Sequence, residues 1–219
     1  MKVLFGICSW GLGHATRDLP LIEAMLKAGH KLTLVGRGRS LELLKKELKE
    51  RCSYLDIPDY SSPYSKRNFF VAKFISYFPI YINEIMKEHK RAKELIRGEK
   101  YERIISDNRF GVYNSEIPSY FITHQLRFIV PGRIRALEMV TERFNYSFKK
   151  KFSKFLVPDY RENSLSGDLS HNLKYFKEGK IEYLGALSSI KKKSLGEDID
   201  YFISLSGPEP QRTVLEKKS

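Results

Sequence analysis

Apolar and polar positions along the chain switch repeatedly between two spacings. Lys2 to Cys8 is dominated by a continuous apolar run, the pattern of a strand buried on both faces of a sheet. Leu19, Ile22, Met25 and Leu26 then recur at helical spacing, with Pro20 in or near the first turn and Gly29 placed to end the helix in a left-handed conformation. His30 to Val35 predicts a second strand, Ser40 a cap for a helix carried by Leu41, Leu44 and Leu48, and Ser53 to Ile57 a third strand. Residues 58–78 interrupt the pattern with Pro58, Pro63, several aromatics, Lys66, Arg67 and Lys73. A long helix is predicted to open at Pro79, to turn Ile82, Ile85, Met86, Leu95 and Ile96 inward, and to end at Gly98. Tyr101 to Ser106 and Ser119 to Thr123 read as strands four and five, and Arg133 to Phe148 as a helix. Phe155 to Val157 and Ile181 to Leu184 read as short strands.

Strands alternating with helices predict an α/β fold: a Rossmann-like, doubly wound parallel sheet with helices on both faces. Near Ala186 the pattern changes. Ser188 to Asp198 is polar, basic and without periodicity, as linkers are. Tyr201 to Leu205 is expected to form a strand ending in Ser206-Gly207-Pro208, and Thr213 to Lys218 to begin a helix. The expected organisation is a first domain over 1–187, a linker over 188–198, and the first strand and helix of a second α/β domain over 199–219. A lone strand and helix cannot bury their own apolar faces, so the chain is expected to be a fragment or truncated product of a longer two-domain protein.

Composition narrows the classes. Hydrophobic residues make up 42% of the 219 positions, enough for a core. No apolar run approaches the roughly 18 residues that span a bilayer. Met1 to Ile7 lacks the length and cleavage pattern of a signal peptide, so a cytoplasmic location is expected. The two cysteines, Cys8 and Cys52, have no spacing suited to a metal or a disulfide framework. Lys and Arg number 39 against 26 Asp and Glu, a net charge of +13 that attracts polyanions: nucleic acid, anionic lipid headgroups or phosphorylated metabolites. No RNA-binding signature, zinc-finger spacing or basic-zipper pattern occurs, and nucleic acid is not expected as a partner.

Candidate chemistry begins in Ser9 to Asp18, SWGLGHATRD. A glycine-rich turn between strand and helix exposes backbone N–H groups where an anion can sit. The dinucleotide fingerprint is incomplete, because Thr16 stands where its third glycine belongs. Strand two ends in Gly36-Arg37-Gly38-Arg39 rather than an acid, which suits only a 2′-phosphate and leaves an NADP enzyme as an alternative. His14 either caps the helix start or, at the carboxyl end of strand one, accepts a proton near neutral pH. Strands four and five end in Ser106-Asp107-Asn108-Arg109 and Thr123-His124-Gln125, on the edge that carries His14 in a parallel sheet. Cys8 reads as a buried structural thiol, and Asp198-Ile199-Asp200 as a solvated linker end rather than a metal-binding Asp-x-Asp. No metal is expected.

Gly11-Leu12-Gly13-His14 after the first strand, Ile117-Pro118 leading into Thr123-His124-Gln125, and Leu184-Gly185 before the linker together resemble the amino-terminal acceptor domain of GT-B glycosyltransferases. The nearest pattern is that of family 28, which contains the peptidoglycan N-acetylglucosaminyltransferase and monogalactosyldiacylglycerol synthase, and of a group of prokaryotic glycosyltransferase-like proteins. The resemblance implies inverting transfer from a nucleotide sugar, a UDP-sugar above all, to a hydroxyl of a glycan or lipid acceptor, without a cofactor. It implies His14 as base, with Asp107 orienting it or itself acting as base. It places Gly11, Gly13, Asn108, Arg109, His124 and Gln125 against substrate. Ser206, Gly207, Gln211 and Arg212 would begin the donor loop, although the sequence there departs from the family's Gly-Gly-Ser. As mainly the acceptor half, the isolated chain is expected to be inactive. The aromatic and basic stretch Tyr60 to Tyr81 suits either an anionic membrane surface or packing against the sheet, and Lys149-Lys150-Lys151 either a solvated helix end or lipid contact. Two other readings stay open: a sugar-nucleotide epimerase of the same fold, and a non-catalytic module that binds a phosphorylated glycan or lipid.

Overall fold

A computed structural model describes residues 1–61, 70–130, 132–177, 179–188, 190, 200–201, 203–205 and 211–217. The apolar amino-terminal run forms β1 (Lys2–Ile7), and the later runs form β2 (Lys31–Gly36), β3 (Ser53–Asp56), β4 (Arg103–Asp107), β5 (Ser119–Ile122), β6 (Lys154–Val157) and β7 (Ile181–Tyr183). They make one seven-stranded sheet in the order β3-β2-β1-β4-β5-β6-β7, with every pair parallel. This is the expected Rossmann-like α/β fold. The winding direction reverses between β1 and β4, and in such sheets the crevice at the reversal is where ligands bind. Register brings the strand ends level there: Ile7 lies beside Asp107, and Asp107 beside Ile122.

The helices are α1 (Leu12–Lys27), α2 (Gly38–Leu48), α3 (Phe70–Arg97), α4 (Arg135–Ser147) and the short α5 (Gln211–Glu216). Alternate residues of β1 enter different cores. Val3, Phe5 and Ile7 pack with Ile22, Leu34, Leu44 and Leu48, whereas Leu4 packs with Val35, Ile96, Ile104 and Val112. This two-sided burial explains why β1 reads as a continuous apolar run instead of an alternating one. A third, largely aromatic cluster of Phe110, Phe121, Phe152, Phe155 and Phe176 fills the β5–β6 side. Tyr60 and Tyr81, the two ends of the aromatic stretch, join it from within; the rings of Tyr60 and Tyr81 meet edge to face at 5.0 Å. The loop after β4 lies directly on α3: a Cβ at Gly111 would come within 2.7 Å of the Ile85 carbonyl oxygen and the His89 nitrogen.

Several boundaries differ from expectation. The first helix begins at Leu12 and carries Pro20 in its interior. Its first two turns bear polar residues, so apolar periodicity emerges only later. Beyond its end, Gly29 has φ 78° and donates to Leu26, as expected of a helix stop. Ser40 is not a cap: it lies inside α2, and its hydroxyl donates to the Gly11 carbonyl at 3.0 Å, tying that helix to the glycine loop. The long helix begins at Phe70 instead of Pro79, which lies within it. Residues 201 and 203–205 form no strand; Tyr201 is 90% exposed, and no neighbouring strand among the described residues offers a ladder. The expected linker falls almost wholly outside the described residues. No helix among the described residues is long and apolar enough to cross a membrane.

Candidate active site at the β1–β4 crevice

The crevice is furnished from three chain segments. Trp10 Nε1 donates to the Tyr60 carbonyl at 2.8 Å and the Ser9 hydroxyl accepts from Arg37 N at 2.9 Å, so the loop after β1 is pinned on two sides. It delivers the chain into α1 at Leu12. From there His14, Arg17 and Asp18 fall at positions i, i+3 and i+4, on one helix face. That face meets the end of β4 and the residues after β5.

Asp107, completely buried at the end of β4, is the hub. Its Oδ2 accepts from His14 Nδ1 at 2.6 Å, and its Oδ1 accepts from Arg17 Nη2 at 2.6 Å and from Asn108 Nδ2 at 3.2 Å. Burial works to raise the Asp107 carboxyl, but the adjoining His14 and Arg17 outweigh it and hold it far below the usual carboxylate range. Asp107 is therefore an anion, and a short bond from it to His14 Nδ1 requires the proton to sit on that nitrogen. The imidazole is 19% exposed, and among the described residues nothing bonds its Nε2. His14 thus turns its Nε2 outward while its Nδ1 is anchored on a buried carboxylate.

His124 lies on the opposite flank of Arg17, whose Nη1 donates to His124 Nδ1 at 2.9 Å. An arginine can only donate, so His124 Nδ1 is bare and its proton is on Nε2. Burial, then the charges of Arg17 and His14, lower the His124 imidazole to about 4, so it stays neutral at physiological pH. Gln125, next in the chain, is half-buried; its backbone N–H bonds the Thr123 hydroxyl and its carbonyl accepts from Asn145. At Gly11 and Gly13 an added Cβ would meet nothing within 4 Å. Neither glycine is demanded by packing, and both leave open space beside His14.

Arg109 does not join this group. Asn108, at φ 52°, turns the chain out of β4, and Arg109 dives into the core, 0% exposed. There its Nε donates to Glu88 Oε1 at 2.6 Å and its Nη2 to the Pro58 carbonyl at 2.9 Å. The guanidinium at this strand edge is instead that of Arg17, which with Asp18 escapes a reading that starts the helix at Leu19; the His14–Arg17–Asp18 spacing is the signal that a start at Leu12 exposes. Cys8, 1% exposed, is a buried thiol that burial pushes well up. Ser206 and Gly207 lie outside the described residues, whereas Gln211 and Arg212 open α5.

The fold is similar to that of solved glycosyltransferases. The glycotransferase of kitacinnamycin superposes with a TM-score of 0.52 at 13% identity, over 93% of this chain and 55% of that one. A glycosyltransferase from Rickettsia africae ESF-5 does so at 0.51 and 13%, over 84% of this chain and 42% of that one. Among curated sequences, the chain is similar to an uncharacterized glycosyltransferase of Methanosarcina acetivorans, 27% identical over 211 residues covering 91% of this chain and 53% of the relative. It is also similar to one of Methanosarcina mazei, 28% identical over 171 residues, 73% of this chain and 44% of the relative. The chain thus spans about half the length of the curated relatives it matches. No protein-family model matches it.

Proposed function

We propose that this chain is the acceptor-side part of a glycosyltransferase that moves a sugar from a nucleotide sugar to an acceptor hydroxyl with inversion. The observation that carries the reading is the His14–Asp107 pair, joined at 2.6 Å at the carboxyl edge of the sheet with the second imidazole nitrogen open to the crevice. The acceptor O–H gives its proton to His14 Nε2 as the oxygen attacks the anomeric carbon, the bond from that carbon to the diphosphate breaks, and the nucleoside diphosphate departs with the electron pair. Asp107 keeps the reactive tautomer in place and steadies the imidazolium that forms. Arg17 fixes Asp107 and, through His124, the far wall of the crevice. Gly11 and Gly13 let substrate approach the helix start closely. Asn108 and Gln125 border the acceptor, while Gln211 and Arg212 belong to the beginning of the donor half, after a boundary at 187 and a linker to 198. A UDP-sugar donor, a glycan or lipid acceptor and an anionic membrane surface as workplace follow from the family resemblance.

The decisive experiment is nucleotide release from a panel of nucleotide sugars by the full-length protein and its His14→Ala variant. Transfer should fall by about 10²–10⁴-fold with the fold retained. Normal turnover in the variant would sink the assignment of the base, and an altered sugar nucleotide without a glycoside product would favour the epimerase.

A further inference from the structure

Asp18 takes no part in the chemistry above, yet it lies against it. The side chain is 0% exposed, and among the described residues neither of its oxygens meets a donor. The adjoining cation, Arg17, makes a loose ion pair through Nε, 3.8 Å from Oδ1 and beyond hydrogen-bond reach, and that Nε has no hydrogen-bond partner among the described residues. Its terminal nitrogens are engaged by Asp107 and His124 instead. A buried carboxylate without a donor is strongly disfavoured. A carboxylic acid in the same place is not, because it brings its own donor, and the guanidinium of Arg17, which bonds Asp107 at 2.6 Å and flanks Asp18 at 3.8 Å, gathers the two carboxyls around one cation.

We propose that Asp18 is a neutral carboxylic acid in the folded protein, that its O–H donates to the Asp107 carboxylate, and that it is a positioning residue for the His14–Asp107 pair. Its place in turnover rests on the reading of His14 as base; its protonation does not. The charged groups facing it are Arg17 from its own helix and Asp107 from β4. Burial, reinforced by the charge of Asp107, pushes the Asp18 carboxyl well above the carboxylate range, while Asp107 is held below it. Two neighbouring carboxyls driven apart in this way share one negative charge, which stays on the one that touches His14. Asp107 then accepts from His14, Arg17, Asn108 and Asp18, and its plane is fixed from every side.

Carbon-13 NMR of the full chain labelled at aspartate carboxyls tests the protonation directly. One resonance in the protonated range at pH 7, missing from Asp18→Asn, is expected; an ionised Asp18 at that pH overturns the proposal. Urea unfolding gives an independent reading. An aspartate that is ionised in the unfolded chain above about pH 4 but neutral in the folded one must take up a proton to fold, so its contribution falls as pH rises. Asn keeps a neutral donor and lacks that dependence. The ratio of the two unfolding constants should therefore shift in favour of Asp18→Asn by about tenfold per pH unit above pH 4, up to the Asp18 midpoint. A ratio that is constant with pH, or that moves the other way, refutes a neutral Asp18. For positioning, the imidazole proton between His14 and Asp107 should persist in Asp18→Asn and weaken in Asp18→Ala; equal loss in both would leave Asp18 a packing residue only. None of these readings requires sugar transfer, so they stand or fall separately from the proposed activity.

Discussion

Two buried acid–base clusters grow from the same turn after β4, and they differ in what they leave open. Asp107 faces α1 and gathers Arg17, His14 and, through Arg17, His124. Arg109, two residues later, faces α3 and gathers Glu88, whose Oε2 also accepts from Tyr60 and from the Gly111 N–H at 2.8 Å. In the second cluster both Glu88 oxygens are taken by protein donors and no member reaches the surface. In the first, an imidazole is only partly covered and one of its nitrogens has no partner among the described residues. The residue types are similar; the unused, reachable nitrogen separates a candidate site from a structural tie.

The comparison can be broken at either end. Asp107→Asn in the full-length protein should cost on the order of 10³–10⁴-fold in turnover, because an amide no longer requires the proton on Nδ1. A small effect on nucleotide release would place the dyad outside the chemistry. Arg109→Ala should instead act on stability, by about 3–5 kcal/mol in urea unfolding, since Glu88 is left buried without its cation. If it lost turnover with an unchanged unfolding midpoint, the division between the clusters would be wrong. Acid sharpens the contrast. The Asp107 carboxyl is depressed by folding, so its stabilising contribution is complete above the unfolded value near 4 and fades as pH falls below it. The stability gap between the wild type and Asp107→Asn should therefore narrow on acidification; a gap that widens contradicts an ionised, paired Asp107. Tyr60→Phe, which removes the hydroxyl shared by Glu88 and Gly111, should have the smallest effect, about 1 kcal/mol, read from the same unfolding curves.

Much of the fold was legible because its parallel sheet is buried on both faces. Apolar runs such as Lys2 to Ile7 cannot belong to a solvated strand, and right-handed crossovers leave few ways to order seven of them. Helix starts were less legible. The first turns of α1 carry the polar side chains of the crevice, so apolar spacing marks that helix only from Leu19, and Arg17 and Asp18 fell outside the candidates. The aromatic stretch was ambiguous for a different reason: a tyrosine suits both a core and an interface, and only contacts show that Tyr60 and Tyr81 turn inward.

By itself the sequence determined the fold class and the edge of the sheet where polar strand ends gather, with His14 and Asp107 among the candidates there. Periodicity records which face of an element is buried, and a parallel sheet puts all its carboxyl ends on one edge. The tertiary structure alone decided that Asp107 and Arg109 part company, that Arg17 bridges Asp107 to His124, and that Asp18 is sealed beside them with no donor among the described residues. Those outcomes depend on a single left-handed residue, Asn108, and on helices packed from distant parts of the chain. Local sequence does not encode the direction in which a side chain leaves such a turn.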